Sequence, residues 1–406
     1  MAVGLIFPDN ILPVRGLKLS AGTAGIYQKL RLDTVLLSLD PAASCAAVFT
    51  RNAFCAAPVQ VAKLHMGKGP PRYCIINAGN ANAGTGARGY RDAMHVCETI
   101  AELTGSDAAG VLPFSTGVIG EFLPVEKICN ILPQLISGLD GNNWIDCATA
   151  IMTTDTIPKA VSRSIEIEGD KITITGIAKG SGMIRPDMAT MLAFLATDAA
   201  VTQPVLEKIL HAAVAKSFNR ICVDGDTSSN DACVLIATGA GNMKPLSNID
   251  DKDTVKLQNA IADVCVHLAQ AIVRDGEGAT KFVTIRVLEG ATTKECLDVA
   301  YSIATSPLVK TALFASDPNW GRILAAAGRS GLRDFDISRV RMDINDVCIV
   351  ENGMRSELYT ENRGRAELEK REILVQVYLG RGNMEEILWT CDLSFDYVRI
   401  NAEYRT

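Results

Sequence analysis

Short apolar blocks alternate with amphipathic stretches along the whole chain. The runs at 33–40 (DTVLLSLD), 45–50 (CAAVFT) and 72–77 (RYCIIN) are rich in β-branched and apolar residues and are flanked by turn formers, which predicts strands. Residues 90–104 (YRDAMHVCETIAELT) repeat apolar positions at helical spacing and stop at Gly105, and 124–137 reads as a second helix opened by Pro124. From 157 to 177 the pattern returns to β, with Glu168-Gly169-Asp170 supplying hairpin chemistry. The segment 190–196 (TMLAFLA) is apolar almost throughout, which predicts a strand covered on both faces. Helices are expected at 203–217 and 253–273, then strands at 281–288, 337–344, 347–351, 373–379 and 386–393. The mixed-charge run 361–372 reads as a solvated helix. The alternation predicts an α/β layered sandwich over 1–280, in which sheets carry helices on their outer faces, followed by a smaller α/β domain over 281–406.

Length agrees, since 406 residues exceed what one core usually supports, about 250–300. Net charge is −6 with no Lys/Arg block, which argues against a nucleic-acid partner. The 12 cysteines form no C-x-x-C and none lies near a histidine at zinc spacing, so no metal is implied and reduced, buried thiols in a cytoplasmic protein are expected. The opening MAVGLIFPDN lacks a basic segment followed by a long apolar one, and nothing reaches the ~18 apolar residues of a membrane span.

The chemistry concentrates at 179–197, KGSGMIRPDMATMLAFLAT. Gly180 and Gly182 free the approach of side chains, Pro186 fixes the backbone, and Thr190 stands where an irregular loop meets the apolar run. Threonine at a strand start is ordinarily structural. At such a junction, however, its hydroxyl can attack the carbonyl of the peptide bond before it, Ala189–Thr190. Hydrolysis of the resulting ester leaves Thr190 as a new N-terminus, whose α-amine, with a reference pKa of about 7.7–8.0, can serve as base for its own hydroxyl. No histidine is then needed, and the four present (His65, His95, His211, His267) are scattered. Oxyanion donors would be required as well, and STGVIG at 115–120 offers the Thr116 hydroxyl and the Gly117 N–H, although on spacing alone an ordinary Gly-containing turn is the better reading of that segment.

Together these segments resemble the ornithine acetyltransferase family, also called glutamate N-acetyltransferase, of the cyclic arginine pathway. The resemblance runs through CAAVFTRNAFCAAPV (45–59), INAGNANAGTG (76–86), STGVIG (115–120), MTTDT (152–156), KGSGMIRPDMATMLAF (179–194), SFNRICVDGDTSSND (217–231), RDGEGATK (274–281), SDPNWGRI (316–323) and NAEYRT (401–406). It implies a four-layer α/β/β/α core with a smaller second domain. It further implies Thr190 as nucleophile, Thr116 and Gly117 as oxyanion pair, and substrate contacts at Thr153, Lys179, Thr190, Glu277, Asn401 and Thr406. Also implied are self-cleavage between Ala189 and Thr190 into chains 1–189 and 190–406, assembly of two such pairs, and acetyl exchange between N-acetylornithine and glutamate without a cofactor. A second donor, acetyl-CoA, is left open. Lys179 suits a substrate carboxylate and Glu277 an ammonium. The sequence departs from the family outline at Tyr27 and Leu30, and at Ala315 where Gly is expected, none of them among the residues the chemistry would use.

Three other readings compete. Gly84, Gly86 and Gly89 spell G-x-G-x-x-G after a strand, but six residues separate Asn77 from Gly84, too many for the tight turn a dinucleotide needs. A self-processing amidohydrolase or aminopeptidase would use the same nucleophile with water as acceptor. A non-catalytic protein on the same scaffold would not require Thr190, Thr116 and Gly117.

Overall fold

A computed structural model describes residues 2–185 and 191–403. In chain order the first elements are β1 (Leu17–Gly22), β2 (Thr34–Leu39), β3 (Ser44–Phe49), α1 (Ala57–Met66), β4 (Tyr73–Asn80), α2 (Gly86–Thr104), β5 (Val111–Val118), α3 (Val125–Ser137) and α4 (Trp144–Ala150). They are followed by β6 (Lys159–Ile167), β7 (Asp170–Lys179), β8 (Leu192–Thr197), α5 (Gln203–Lys216), β9 (Ile221–Cys222), β10 (Ala232–Ala237) and α6 (Lys252–Arg274). The remainder comprises β11 (Phe282–Gly290), α7 (Thr293–Ala304), α8 (Pro307–Phe314), α9 (Trp320–Gly328), β12 (Arg341–Ile344), β13 (Val347–Glu351), β14 (Met354–Arg355), α10 (Glu361–Leu368), β15 (Glu372–Tyr378), β16 (Met384–Cys391) and α11 (Phe395–Ala402).

The strands form three sheets, ordered β1-β2-β4-β5, β3-β10-β8-β7-β6 and β14-β13-β12-β15-β11-β16-β9. The first two lie face to face, and the period-2 alternation of their side chains accounts for the layering. Leu37, Ile76, Leu112 and Phe114 from the four-stranded sheet share one core with Ile177, Leu192, Phe194, Val234 and Ile236 from the five-stranded one. The opposite faces are covered by helices: Leu36, Ile75 and Val111 pack under α2 and α3, while Ile174, Ala193, Leu195, Cys233 and Leu235 pack under α5 and α6. The result is the four-layer α/β/β/α sandwich. β8 is buried on both faces, with Leu192 and Phe194 on the sheet side and Ala193 and Leu195 on the helix side, which is why its sequence shows no polar alternation. The third sheet has its own core with α7, α8 and α9, and takes in β9 through the pairing of Trp389 and Thr390 with Ile221 and Cys222.

Local chemistry explains the boundaries. The β6–β7 hairpin turns on Glu168 and Gly169, at φ 51° and 82°, with Ile167 paired to Asp170, a turn in which both central residues are left-handed. Gly105 closes α2 at φ 68°. That helix begins at Gly86, before its apolar periodicity does, so its first turn carries no hydrophobic signal. The strand expected over 337–344 is shorter, because Asp336 accepts a hydrogen bond from Ser338 N (3.0 Å) and caps a single 3₁₀ turn at Ile337–Arg339 before β12 begins.

Candidate active site

β5 and β7 end, and β8 and β10 begin, around a cavity of about 280 Å³, near the lower end of the roughly 300–1,000 Å³ range of small-molecule sites. Its lining brings together Thr116, Gly117, Thr153, Lys179, Glu277 and Asn401 from widely separated parts of the chain. Ala189, Thr190 and Thr406 lie outside the described residues. Met191, next in the chain after Thr190, lines the cavity. Edge-to-face stacking of Phe114 on Phe194, centroids 5.1 Å apart, ties β5 to β8 and so sets the distance between the Thr116 segment and the start of β8. Among the described residues no histidine lines the cavity; His65, for example, is buried elsewhere with Nδ1 2.7 Å from the Val111 carbonyl.

The Thr116–Gly117 segment is held from below. Gly117 sits at φ 135°, and a Cβ there would collide with the backbone of Gly79 and Asn80 on β4, so only glycine fits. Asn230 donates both amide hydrogens to carbonyls, Ala81 at 2.6 Å and Ser115 at 2.9 Å. Ser115 Oγ donates to Asn77 Oδ1 at 2.6 Å, and Asn77 Nδ2 donates to the Asn80 carbonyl at 2.9 Å. This buried amide network, satisfied throughout, makes the segment rigid. Lys179 Nζ donates to Thr116 Oγ1 at 3.1 Å. With an acceptor site of that oxygen taken, the Thr116 proton is free to turn toward the cavity.

Buried charges behind the cavity lining fix the remaining loops. Lys159 Nζ donates to Asp155 Oδ1 at 2.6 Å and to Asp275 Oδ2 at 2.7 Å, all three side chains almost wholly buried. Asp155 also accepts the Thr153 N–H (3.0 Å) and the Gly180 N–H (2.8 Å). Asp275 accepts the Thr156 N–H at 2.9 Å, and its carbonyl accepts Ser181 Oγ at 2.5 Å. Ser181's own carbonyl accepts the Glu277 N–H at 2.9 Å. One buried cation thus cross-braces the loops carrying Thr153 and Glu277 and the end of β7 carrying Lys179. Burial opposes charge on Asp155, but Lys159, Lys179 and the Gly180 N–H outweigh it and hold the carboxyl well below its ordinary range. Burial likewise opposes charge on Lys159, yet its two carboxylates raise its pKa. Lys179 is different: burial dominates and lowers its pKa, with Asp155 only partly offsetting the loss.

Glu277 lies over Gly182, where a Cβ would overlap the carboxylate. Its Oε2 accepts a hydrogen bond from Asn401 Nδ2 at 2.7 Å, which brings α11 to the rim of the cavity. Burial raises the Glu277 carboxyl, and its contacts with Thr154 and Asn401 pull the other way. Asp224 accepts the Met183 and Ile184 N–H groups at 2.6 and 2.9 Å and shapes the same rim.

Sequence reasoning missed Asp155, Lys159, Asp224, Asn230, Asp231 and Asp275. All but Lys159 sit inside segments that carried the resemblance, and an acid or amide bounded by apolar strand residues, as at Asp231-Ala232-Cys233, was the available signal. The glycines at 84, 86 and 89 have a packing reason. Asn82 Nδ2 donates to the Gly89 carbonyl at 2.9 Å and Thr85 Oγ1 to Asn82 Oδ1 at 2.8 Å, so close that a Cβ on Gly89 would strike both side chains. Tyr27 is nearer to the site than expected, its hydroxyl donating to the Met152 carbonyl (3.3 Å) beside Thr153. Ala315 has φ −73°, a conformation that requires no glycine; the left-handed residue is Ser316, at φ 52°.

The four-layer sandwich thus presents, at its strand ends, a paired hydroxyl and amide, a buried cation and a carboxylate to one cavity. The ArgJ family model matches residues 18–406. The chain is 53% identical over 406 residues to the arginine biosynthesis bifunctional protein ArgJ of Pseudomonas syringae pv. tomato, covering 100% of both chains. It is 53% identical over 397 residues to that of Methylococcus capsulatus, covering 98% of this chain and 97% of the relative. A crystal structure of the protein so named from Bacillus halodurans is 37% identical and covers 50% of this chain and 95% of its own, with a TM-score of 0.49. The chain belongs to the ArgJ family.

Proposed function

We propose that this chain is a self-processing acetyltransferase of arginine biosynthesis, moving acetyl from N-acetylornithine to glutamate by way of an acetyl-Thr190 ester. The carrying observation is the convergence of Thr116, Gly117, Lys179, Glu277 and Asn401 on one cavity beside Met191, the residue that follows Thr190.

In the first stage Thr190 Oγ attacks the Ala189 carbonyl carbon, the peptide nitrogen leaves as an amine, and water hydrolyses the ester. In the second, the Thr190 α-amine takes the hydroxyl proton as Oγ attacks the acetyl carbonyl. The Thr116 hydroxyl and Gly117 N–H stabilise the oxyanion, ornithine departs with the proton, and glutamate then takes the acetyl group by the reverse sequence. Lys179, a cation with hydrogens beyond the one given to Thr116, receives the α-carboxylate common to both amino acids, and Glu277 receives the ornithine ammonium. Family membership supports the pathway and the acetyl chemistry. Among the described residues no helix is long and apolar enough to cross a membrane, and we place the enzyme in the cytoplasm as paired α and β chains, α2β2.

A denaturing gel of the purified protein, with N-terminal sequencing of the smaller species, tests the reading. Two bands are expected, one beginning Thr-Met-Leu-Ala-Phe. Thr190→Ala should stay whole and lose transfer entirely; a Thr190→Ala chain that still splits removes Thr190 from the self-attacking role. Acetyl recovered as acetate and never on glutamate would instead identify an amidohydrolase.

A further inference from the structure

Tyr27, one of the positions at which the sequence departs from the family outline, lies behind the cavity. It sits half-buried in the loop between β1 and β2 and does not line the cavity. That loop is folded back by a buried carboxylate. Asp33, 1% exposed, accepts the Ala24 N–H and the Ile26 N–H, each at 2.7 Å, and its carbonyl accepts the Ala78 N–H at 2.8 Å. Charge-assisted bonds of this kind are strong, so the loop is pinned to the end of β4 and Tyr27 is delivered to one place.

There the ring lies against Gly79. A Cβ on Gly79, whose φ is 97°, would stand 3.1 and 3.2 Å from two ring carbons of Tyr27 and 2.8 Å from Ile26 Cγ2. Gly79 is in turn the β4 partner of Gly117, and its backbone fills the space a Cβ on Gly117 would need. The thickness of one backbone thus separates the phenol ring from the Thr116–Gly117 segment. The hydroxyl end of the ring reaches the Thr153 loop. Tyr27 Oη donates to the Met152 carbonyl at 3.3 Å. Arg31, whose guanidinium carbon stands 4.6 Å from the ring centroid, donates to the same carbonyl at 3.0 Å. That carbonyl and the Thr153 N–H are the two ends of one planar peptide unit. Asp155 accepts the N–H at 3.0 Å, so the unit is held at both ends and Thr153 meets the cavity in a fixed orientation.

We propose that Tyr27 is a positioning residue that couples the oxyanion segment to the Thr153 loop, its ring backing Gly117 through Gly79 and its hydroxyl holding Thr153 through Met152. The proposal rests on the roles assigned above to Gly117 as an oxyanion donor and to Thr153 as a substrate contact. The two ends of the side chain then affect different constants. An oxyanion donor is used in the transition state alone, so slack at Gly117 lowers kcat. A contact that serves bound substrate and transition state alike acts on KM, so slack at Thr153 raises KM. The ring governs kcat and the hydroxyl KM. Misplacing a catalytic group by about 1 Å can cost about 100-fold in rate, which makes support at one remove measurable.

The test measures acetyl transfer from N-acetylornithine to glutamate by the full-length protein and by Tyr27→Phe, Tyr27→Ala and Leu30→Ala. Tyr27→Phe keeps the ring, so kcat should stay within about twofold of wild type while KM rises about threefold, Arg31 still holding Met152. Tyr27→Ala should lower kcat about 10- to 100-fold. Leu30, 91% exposed in the same loop, is the control, and Leu30→Ala should match wild type in both constants. A folded Tyr27→Ala enzyme with wild-type kcat overturns the proposal. So does a Tyr27→Phe enzyme that loses kcat as fully as Tyr27→Ala or keeps the wild-type KM, and so does an equal loss in Leu30→Ala, which would assign the effect to the loop at large. Should Tyr27→Ala not fold, Tyr27→Leu, which covers Gly79 without a flat ring, replaces it with the same expected fall and the same overturning result. Tyr27→Phe decides through KM whatever the other two do. A wild type that moves no acetyl group to glutamate defeats the proposed function itself, whereas an active wild type with an indifferent Tyr27 defeats this inference alone.

Discussion

Both halves of the molecule bury lysines, and they do so in opposite ways. In the sandwich, Lys159 is matched by two carboxylates, and its neighbour Lys179 has, among the described residues, one hydrogen bond, to Thr116, and otherwise faces the cavity. Beneath the third sheet, Lys281 donates to the carbonyls of Leu313 (2.6 Å) and Leu368 and to Ser316 Oγ (2.6 Å), while Lys310 donates to Thr390 Oγ1 (3.0 Å) and the Cys391 carbonyl. An ammonium has three hydrogens. Lys281 spends all three on neutral acceptors, which makes it a clamp between α8, α10 and β11. Lys179 retains hydrogens for a ligand. Burial and charge alone do not mark a functional lysine; unspent valence toward a cavity does.

Substitutions can break or sharpen this contrast. The largest effect should come from Lys159→Met, which strands two carboxylates in the interior and should cost about 3–5 kcal/mol in urea-monitored stability, collapsing the cavity as it does so. If stability is unchanged, the buried triad is not the brace described here. Lys179→Met should act on the other axis: kcat/KM falling about 100-fold, the order of an oxyanion donor lost, with unfolding free energy within about 1 kcal/mol of wild type. A stability loss as large as that of Lys159→Met would place Lys179 with the structural group. Lys281→Met should lower stability by about 1–3 kcal/mol through its orphaned carbonyls, while kcat/KM of the folded protein stays within about twofold.

The smallest effect is in pH. The folded-state pKa of Asp155 is depressed, so its stabilisation is complete above the unfolded value near 3.9 and is lost as pH falls toward the folded one. Wild type should lose about 1 kcal/mol from this group between pH 5 and pH 3, and Lys159→Met much less, because its Asp155 no longer has the cation that depresses it. Parallel acid profiles for the two proteins would contradict that assignment.

The contrast also explains what could be read in advance. β8 was legible because burial on both faces leaves an uninterrupted apolar run, and the β6–β7 turn because Glu168-Gly169 is specific turn chemistry. Thr116, Lys179, Glu277 and Asn401 were legible only through resemblance. Nothing local distinguishes Lys179 from Lys281, each a lysine at the edge of a β-rich run. The brace was illegible because Asp155 and Asp275 lie 120 positions apart and meet only when α6 is laid across the five-stranded sheet. The facing of the two sheets was illegible too, since period-2 patterning marks a buried face without naming the surface that covers it.

The order of the five-stranded sheet reaches beyond the active site. Were the backbone severed at 190, strands β10 and β8 would belong to one piece, and β3, β7 and β6 to the other. The later piece is thus hydrogen-bonded into the middle of the earlier one, flanked on either side by strands it does not own. Two such pieces would co-migrate as a single body in every native separation. Melted apart, they would have to find each other in solution and interleave before the five-stranded sheet could close, so renaturation would become second order in protein and losses would grow with dilution.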